Sequence, residues 1–490
     1  MISLLLLGGS IPTSFGMLAM PSLHIVQVPS MQGYKMTASG NNVYFIWTVN
    51  SPGHGTQLFF RKSSDGGKTF ENQIQLANST NIDKSFISAA NNNVYVSWSQ
   101  QANNLSTLMV RQSTDGGTTF QDPVLISMGN AIQASLDDMA VSGNYVQVLW
   151  TGIFGPNRTQ SVILSQSTDG GSTFGEPVYL SDPSILSSQP VVAQSGSNTY
   201  VAWGSENRCL VQIGNCKLEH FVRTISSGVV GAAVHLDSLD GVFPIEIAAQ
   251  SNTVLVEGLK RAYNDAVFEN STILISQSND GGNSFSTTSS TYDTNMRQIY
   301  PVLAGSTIYQ FWTVYENGLQ PEPIFVARSS DGDKTFGTQT NMSGNTIPLV
   351  TDLGSQVTSS GNAAYVVWYG TDTAGASHIY FESVTPDSFG TIRAVEDLWQ
   401  AERFQMASND SGAYFSFQSG QSLFFETVNN TSYAETGLSC PVNSNPQPGS
   451  VILDKPELLV DGEQANSILS FNSVEFSSSL VFSFFSMDVI

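Results

Sequence analysis

One octapeptide recurs five times along the chain of 490 residues. It reads SSDGGKTF at 63–70, STDGGTTF at 113–120, STDGGSTF at 167–174, SNDGGNSF at 278–285 and SSDGDKTF at 329–336. Its Asp stands at positions 65, 115, 169, 280 and 331, so the intervals are 50, 54, 111 and 51 residues, and the longest spans two periods. A repeat at a fixed period of this length predicts a chain assembled from similar supersecondary units.

A second pattern has the same period. Short runs of alternating residues end at Trp47, Trp98, Trp150, Trp203, Glu257, Trp312, Trp368 and Phe417. Eight such runs predict eight units, of which five carry a recognisable octapeptide.

Each unit contains four short segments of strand character. A first strand leads into an Asn/Gly turn, as at 39–42, and then come an alternating strand, a variable loop, a third strand, the octapeptide and a fourth strand. Asn-Gly and Asp-Gly turns join antiparallel neighbours, and helical periodicity is absent from the sequence. We therefore predict an all-β fold, a β-propeller of four-stranded antiparallel blades, with eight blades, or seven if the last unit is not a blade.

The sequence also predicts how the ring closes. The eighth unit supplies strands near 404–407, 413–417 and 423–428 and lacks a fourth. The segment His24–Val28 has the fourth-strand pattern. We expect this N-terminal strand to pair with the eighth unit and close the ring.

The octapeptide S-x-D-x-G-x-[TS]-F resembles the Asp-box (BNR) repeat of sialidase-like propellers, and the resemblance covers roughly residues 37–428. In that family the box is a structural turn between the third and fourth strands, remote from the binding face. The resemblance implies that the box residues stabilise turns and bind no ligand: Asp65, Asp115, Asp169, Asp280 and Asp331. Locally, Asp accepts backbone N–H bonds at a tight turn and Gly supplies a positive φ. The fifth copy has Asp333 in place of Gly, so we expect an adjusted turn there.

The same resemblance implies an activity. Sialidases hold the substrate carboxylate with three arginines and use a Tyr nucleophile activated by a carboxylate, with an Asp as acid/base. Candidates for the clamp are Arg158, Arg208, Arg261, Arg297 and Arg403, and we favour the last three. The Tyr–Glu pair is sought at Tyr315 and Glu316, or at Tyr300 with Glu246. The Arg-Ile-Pro element that opens the family's domain has no counterpart, since no Arg precedes Arg61, and sialidase rings have six blades.

Composition restricts the partners. The chain has 18 Lys+Arg against 40 Asp+Glu, a net charge of −22, and only 12% charged residues. It lacks a cationic surface for phosphates, which excludes nucleic acid and anionic membrane surfaces as partners. The acidic excess is compatible with calcium, but no loop has a calcium or zinc spacing, so we predict no metal site and no cofactor.

The N-terminus points to export. Residues 1–22 contain no Lys, Arg, Asp or Glu and carry an apolar stretch from Leu4 to Met20, which predicts a signal peptide, with a buried N-terminal strand as the alternative. We expect the propeller over 23–433 and a linker with an appended β-rich segment over 434–490. No stretch approaches the ~18 apolar residues of a membrane helix, so we predict no transmembrane segment and an extracellular or cell-surface protein.

Cysteines and sequons are consistent with that location. Cys209 and Cys216 are predicted to form a disulfide, with two free thiols as the alternative, and Cys440 would remain unpaired. Eight N-x-S/T sequons are candidates for glycosylation: Asn78, Asn104, Asn157, Asn270, Asn341, Asn409, Asn429 and Asn430.

Three functions remain. We favour a non-catalytic secreted module that binds a glycan or an extracellular protein, because a rigid ring with variable loops suits recognition and a fold does not dictate activity. The first alternative is an exo-acting retaining hydrolase of sialidase type. The second is a subunit of an extracellular assembly that self-associates through its C-terminal segment. An unchanged oligomeric state of a chain ending at Val428 would contradict the assembly.

Overall fold

The computed structural model describes the greater part of the chain between residues 23 and 428. The described ranges are 23–27, 31–51, 53, 55–79, 81–102, 105–127, 131–154, 159–206, 218–242, 245–264, 267–293, 295–314, 323–332, 335–344, 346–348, 357–396, 402–409, 412–419 and 421–428. The signal peptide, Cys440 and the C-terminal segment over 434–490 lie outside these residues and stay predictions. No helix within the described ranges is long and apolar enough to cross a membrane.

The described ranges contain 34 strands and one 3-10 helix at Asp237–Leu239. The strands of the first half are β1 (Leu23–Gln27), β2 (Met31–Ser39), β3 (Asn42–Ser51), β4 (Gly55–Ser63), β5 (Ile74–Ser79), β6 (Ile82–Ala90), β7 (Asn93–Ala102), β8 (Leu105–Ser113), β9 (Val124–Leu125), β10 (Gln133–Ser142), β11 (Tyr145–Phe154), β12 (Thr159–Ser167), β13 (Val178–Tyr179), β14 (Leu186–Ser195), β15 (Asn198–Glu206), β16 (Leu218–Ser226), β17 (Val229–Val230) and β18 (Val234–His235). Those of the second half are β19 (Ile245–Gln250), β20 (Thr253–Asn264), β21 (Val267–Ser278), β22 (Ser286–Tyr292), β23 (Met296–Ala304), β24 (Thr307–Val314), β25 (Ile324–Ser329), β26 (Thr340–Asn341), β27 (Ile347–Pro348), β28 (Val357–Ser360), β29 (Ala363–Thr371), β30 (Ser377–Val384), β31 (Arg393–Glu396), β32 (Glu402–Asn409), β33 (Gly412–Ser419) and β34 (Ser422–Val428).

These strands form eight antiparallel blades, which confirms the predicted β-propeller. Six blades follow the chain in simple order: β2 to β5, β6 to β9, β10 to β13, β14 to β17, β19 to β22 and β23 to β26. In the fourth blade β18 also pairs with β16, and the seventh blade runs β27-β29-β30-β31 with β28 on β29 as well. The first strands of successive blades contact one another from β2 through β6, β10, β14, β19, β23, β28 and β32 back to β2. They therefore surround the axis of the ring.

The ring is closed by the N-terminal strand, as predicted. The eighth blade has the order β32-β33-β34-β1, with β1 antiparallel to β34 and Leu23 opposite Phe425. Arg61 in the first blade donates to the carbonyl of Ile25 in β1. Arg111 in the second blade does the same to Leu76 in β5, the fourth strand of the blade before it, at 2.6 Å. The strand β1 thus receives the contact that a normal fourth strand receives.

The second strand of each blade is buried on both faces, because a neighbouring blade packs against each side. The tryptophans that end the alternating runs are almost fully buried: Trp47, Trp98, Trp150, Trp203, Trp312 and Trp368. The fifth blade differs. Register places Val254 opposite Ser278, as Ile308 lies opposite Ser329 in the sixth blade, so Gly258 and not Glu257 takes the Trp position. A Cβ atom at Gly258 would lie 2.7 Å from Val242 and 3.2 Å from Leu239, whose side chains fill the space of the missing ring.

The octapeptides form the turns after the third strands of their blades. In the first copy Asp65 Oδ1 accepts from the Ser63 hydroxyl at 2.7 Å and from the Thr69 backbone at 2.9 Å, and Oδ2 accepts from the Thr69 hydroxyl at 2.6 Å. The Ser63 hydroxyl in turn accepts from the Gly67 backbone N–H at 2.8 Å. The same carboxylate contacts recur at Asp115, Asp169, Asp280 and Asp331. Asp333 lies outside the described residues.

These hydrogen bonds hold the pKa of the turn aspartates low. The Thr69 hydroxyl is the main cause at Asp65, whose pKa falls from 3.8 to about 2. A lowered pKa means that this contribution to stability is present above pH 3.8 and is lost as the pH falls through about 2. The turns are therefore expected to weaken only in strong acid.

The pKa of the buried carboxyl group of Glu382 is shifted in the opposite direction, upward. It lies in β30 with 5% exposure, and burial raises its pKa from 4.5 to about 7. The folded state therefore keeps a proton that the unfolded chain releases. The resulting stability is complete below pH 4.5 and is lost as the pH rises through about 7.

We predict that Glu382→Gln stabilises the protein at pH 8 by about 3 kcal/mol and has a much smaller effect at pH 5. The reason is that Gln carries no charge that burial could destabilise. Urea unfolding at the two pH values measures the difference. Asp122→Asn, at an exposed carboxyl, is the control and should shift neither value. An equal gain from Glu382→Gln at both pH values would contradict the prediction.

Candidate functional site

The two ends of the ring differ in what they carry. The octapeptides follow the third strands, and the third strand of a blade runs parallel to its first strand because both are antiparallel to the second. The starts of the innermost strands therefore lie at the end opposite the octapeptides. Side chains at these starts form the mouth of the central channel.

The innermost strands are irregular near this mouth. Register shifts occur in β2, β6, β10, β14, β23 and β32. A bulge turns a side chain away from its regular face and is frequent next to binding sites. The residues carried at these shifts are mostly polar or charged: Gln32, Asp83, Lys84, Asp137, Gln189, Pro190, Arg297 and Arg403.

One ion pair joins two neighbouring bulges. The Lys84 Nζ atom lies 3.8 Å from Asp137 Oδ1 and donates to the Leu136 carbonyl at 2.9 Å. Burial raises the pKa of Asp137 to about 6, and the Lys84 ammonium opposes that rise. At the mouth, the positive charge of Lys84 in the second blade therefore offsets the negative charge of Asp137 in the third blade.

A cavity of about 360 Å³, called the axial cavity below, lies among the innermost strands of the ring. Five innermost strands line it, with the residues Asp138, Pro190, Val191, Val192, Glu246, Ile247, Tyr300, Pro301, Val302 and Val357. Its volume falls in the range of about 300–1,000 Å³ typical of ligand pockets. Two acidic residues and one tyrosine therefore share a cavity whose other lining residues are Val, Ile and Pro, and polar atoms make up a large part of its surface.

Asp138 has a perturbed pKa. Burial raises its pKa to about 6, while the Met139 backbone N–H and the charge of Lys35 oppose the rise. The Met139 N–H donates to Asp138 Oδ1 at 2.7 Å. Lys35, on β2, lies over the Phe86 ring at 5.3 Å. The carboxyl group therefore changes protonation near pH 6.

The structure places one predicted arginine against the backbone of another. Arg261, on β20, donates from Nε to the Met296 carbonyl at 2.6 Å and from Nη2 to the Arg297 carbonyl at 2.8 Å. Those two nitrogens thus fix the start of β23. Arg403 lies at the bulge of β32, and its side chain is outside the description. Tyr315 and Glu316 lie outside the described residues.

The other predicted Tyr–Glu pair has both of its members in the lining of one cavity. Glu246 on β19 and Tyr300 on β23 both line the axial cavity. Sequence reasoning missed Asp138, which joins them there. The available signal was the adjacent Asp137 and Asp138 between Leu136 and Met139, where alternation directs one of the two carboxyl groups inward.

The remaining sequence predictions are only partly covered. Cys209 and Cys216 lie outside the described residues, as do Asn104, Asn157, Asn429 and Asn430. The side chain of Asn409 is not described either. Asn78 and Asn341 are exposed and Asn270 is half-buried. The disulfide and the glycosylation of every sequon stay predictions.

No protein-family model and no curated protein matches the chain. Solved structures do match. The β-propeller domain of the Trilobed protease from Pyrococcus furiosus is 11% identical over 76% of this chain and 99% of that one, with a TM-score of 0.42. An ulvan lyase of polysaccharide lyase family PL25 is 8% identical over 84% and 95%, with a TM-score of 0.44. A Trypanosoma rangeli sialidase is 14% identical over 64% and 56%, with a TM-score of 0.33. At these identities the likeness concerns the fold alone.

Proposed function

We propose that the protein is an exported, non-catalytic propeller of the Asp-box type that binds a glycan in its axial cavity. The observation that carries the proposal is the cavity itself, which combines Asp138, Glu246 and Tyr300 with Val, Ile and Pro residues. Carboxylate oxygens accept hydrogen bonds from sugar hydroxyls, as exposed backbone carbonyls also do, and the Val, Ile and Pro side chains offer apolar contact to the C–H faces of a sugar ring. An extracellular location fits a glycan ligand and the predicted signal peptide.

The strand setting supports tight recognition. All lining residues stand on or beside innermost strands that are paired to a second strand and packed against neighbouring blades. Groups held in place before binding lose little conformational entropy when the ligand arrives. The cavity is thus built for a ligand of fixed shape.

The charge of the cavity favours a neutral sugar. Two carboxyl groups line it, and the whole chain carries a net charge of −22. An acidic sugar entering there would be repelled while Asp138 is ionised. Lys35 offsets this only in part. We therefore expect neutral oligosaccharides to bind better than sialylated ones.

The test is a panel of neutral and sialylated oligosaccharides, followed by calorimetric titration of the best ligand. Asp138→Asn and Glu246→Gln are each expected to weaken binding by about 10–100-fold, the loss typical of one hydrogen bond to a charged group. Binding should also weaken as the pH falls through about 6, where Asp138 gains its proton. Glu176→Gln, at an exposed carboxyl that follows an octapeptide, is the control and should bind normally. Equal loss in the control, or binding unaffected by both cavity variants, would contradict the site.

A second candidate is a retaining glycoside hydrolase that uses the same cavity. The observation in its favour is that Tyr300, Glu246 and Asp138 all line it, so the residue types of a nucleophile, its base and an acid with a pKa of about 6 are present in one cavity. Turnover of a fluorogenic glycoside that is lost in Tyr300→Phe, with binding retained, would establish this function in place of the first. A sialoside substrate would further require Arg297→Ala to abolish turnover.

A further inference from the structure

Three potential metal ligands meet at the edge of the fourth blade, away from the axial cavity. They are Glu219 on β16, His235 on β18 and Asp240, which follows the 3-10 helix. One ligand atom from each lies within 4.8 Å of the others. The His235 Nε2 atom is 3.0 Å from Asp240 Oδ1. No other group of this kind is found among the described residues.

The backbone around these side chains is well held. The N–H of Leu236 donates to the His220 carbonyl at 2.8 Å, and the N–H of Gly241 donates to the Leu218 carbonyl at 2.7 Å. These bonds fix the segments on either side of the 3-10 helix onto β16. The His235 ring stacks on Phe221, with centroids 5.0 Å apart. Two of the three ligands therefore have their positions set before any ion arrives.

A buried histidine supports the same turn. His220 is 1% exposed, its Nδ1 atom has no hydrogen-bond partner, and its ring bonds to the backbone of Leu239, next to Asp240. His220 acts as a positioning residue for Asp240, while the three ligands remain Glu219, His235 and Asp240.

We propose that Glu219, His235 and Asp240 bind one divalent transition-metal ion, with Zn²⁺ the best match. Imidazole nitrogen combined with carboxylate oxygen suits zinc, whereas calcium and magnesium favour oxygen alone. Ligand atoms around tetrahedral zinc are roughly 3.4 Å apart, given bonds of about 2.1 Å. The present separations, at most 4.8 Å, need to shorten by about 1.4 Å or less to reach that spacing. Three protein ligands leave the fourth position for water or a bound group.

The competing explanation is an ordinary hydrogen bond between His235 and Asp240. The chain offers a matched comparison in His378, whose Nε2 atom lies 3.8 Å from Asp372 Oδ2. Among the described residues no third ligand completes a group around that pair. If the three residues form a metal site, substitution of His235 weakens metal binding and substitution of His378 does not. If both histidines only form ordinary pairs with aspartate, neither substitution changes metal binding.

The experiment is a calorimetric titration of Zn²⁺ into the EDTA-treated full chain at pH 7. The wild-type chain should bind one ion at this site, and His235→Phe, which keeps an aromatic ring on Phe221, should bind it at least about 100-fold more weakly. Asp240→Asn and Glu219→Gln should weaken it in the same direction. His378→Phe and the double variant Cys209→Ser with Cys216→Ser should bind as the wild-type chain does. Ca²⁺ should not compete at equal concentration.

Several outcomes would overturn the proposal. They are the absence of stoichiometric Zn²⁺ binding, binding that survives in both His235→Phe and Asp240→Asn, and loss of binding only in the cysteine variant. Near-ultraviolet circular dichroism of each variant without metal separates a lost ligand from a lost fold. Should a variant fail to fold, the milder Glu219→Gln and Asp240→Asn comparisons still decide the question.

Discussion

A chain that starts at Met31 is expected to lose about 4 kcal/mol of unfolding free energy relative to a chain that starts at Leu23. The shorter chain lacks β1, the fourth strand of the eighth blade. It would lose the antiparallel pairing of β1 with β34, the burial of Ile25, which is 2% exposed, and the bond from Arg61 to the Ile25 carbonyl. Burying an Ile side chain contributes about 1.5–3 kcal/mol, and each hydrogen bond adds roughly 1 kcal/mol.

The measurement is denaturant unfolding of both truncated chains and of the full chain. The chain from Leu23 is the control, and we expect it to match the full chain because residues 1–22 are the predicted signal peptide. The chain from Met31 should also associate more readily, because β34 becomes an unpaired edge. Equal stability of the two truncated chains would contradict closure through β1.

Much of this architecture could be predicted because the sequence repeats. The period of the octapeptide predicted the length of one blade. The eighth unit contained only three predicted strands, so the segment His24–Val28 was predicted to supply its fourth. Within a unit, the alternating pattern located the second strand but not its exact phase. Glu257 was aligned with the tryptophans, yet Gly258 holds that position. The residues that replace the ring, Leu239 and Val242, come from an insertion before the blade, so no local pattern could reveal them.

The candidate site was less predictable. Scarce basic residues drew attention to Arg261 and Arg297, but the contact seen between them joins the Arg261 side chain to the Arg297 backbone carbonyl, so a clamp of guanidinium groups stays a prediction. Asp138 escaped notice because a bulge sets its direction, and a shift of register is not visible in an alternating pattern. The axial cavity also needs residues from five blades spread between 138 and 357. Such a site follows from ring closure and not from any motif.

The seam that β1 closes also contains a tight contact between the first and eighth blades. Gly67, in the first octapeptide turn, has φ +86°, and a Cβ atom there would lie 1.9 Å from Cε1 of Phe425 on β34. Phe425 is 2% exposed and packs edge-on against Phe45 and Phe70. It cannot move without disturbing both rings. Only glycine fits this position, for its backbone conformation and for its lack of a side chain.

We predict that Gly67→Ala lowers the unfolding free energy by about 3–4 kcal/mol, of which roughly 1 kcal/mol is the strain of a positive φ and the rest is the clash with Phe425. The adjacent Gly66 supplies the control, because its φ is +75° and nothing lies within 4 Å of the place its Cβ would take. Gly66→Ala should therefore cost only the strain, about 1 kcal/mol. Urea unfolding of both variants gives the difference. Equal losses of stability in the two variants would mean that the first and eighth blades do not meet at Gly67. If the blades do meet there, the double variant Gly67→Ala with Phe425→Leu should recover part of the lost stability, because Leu lacks the ring atoms that clash.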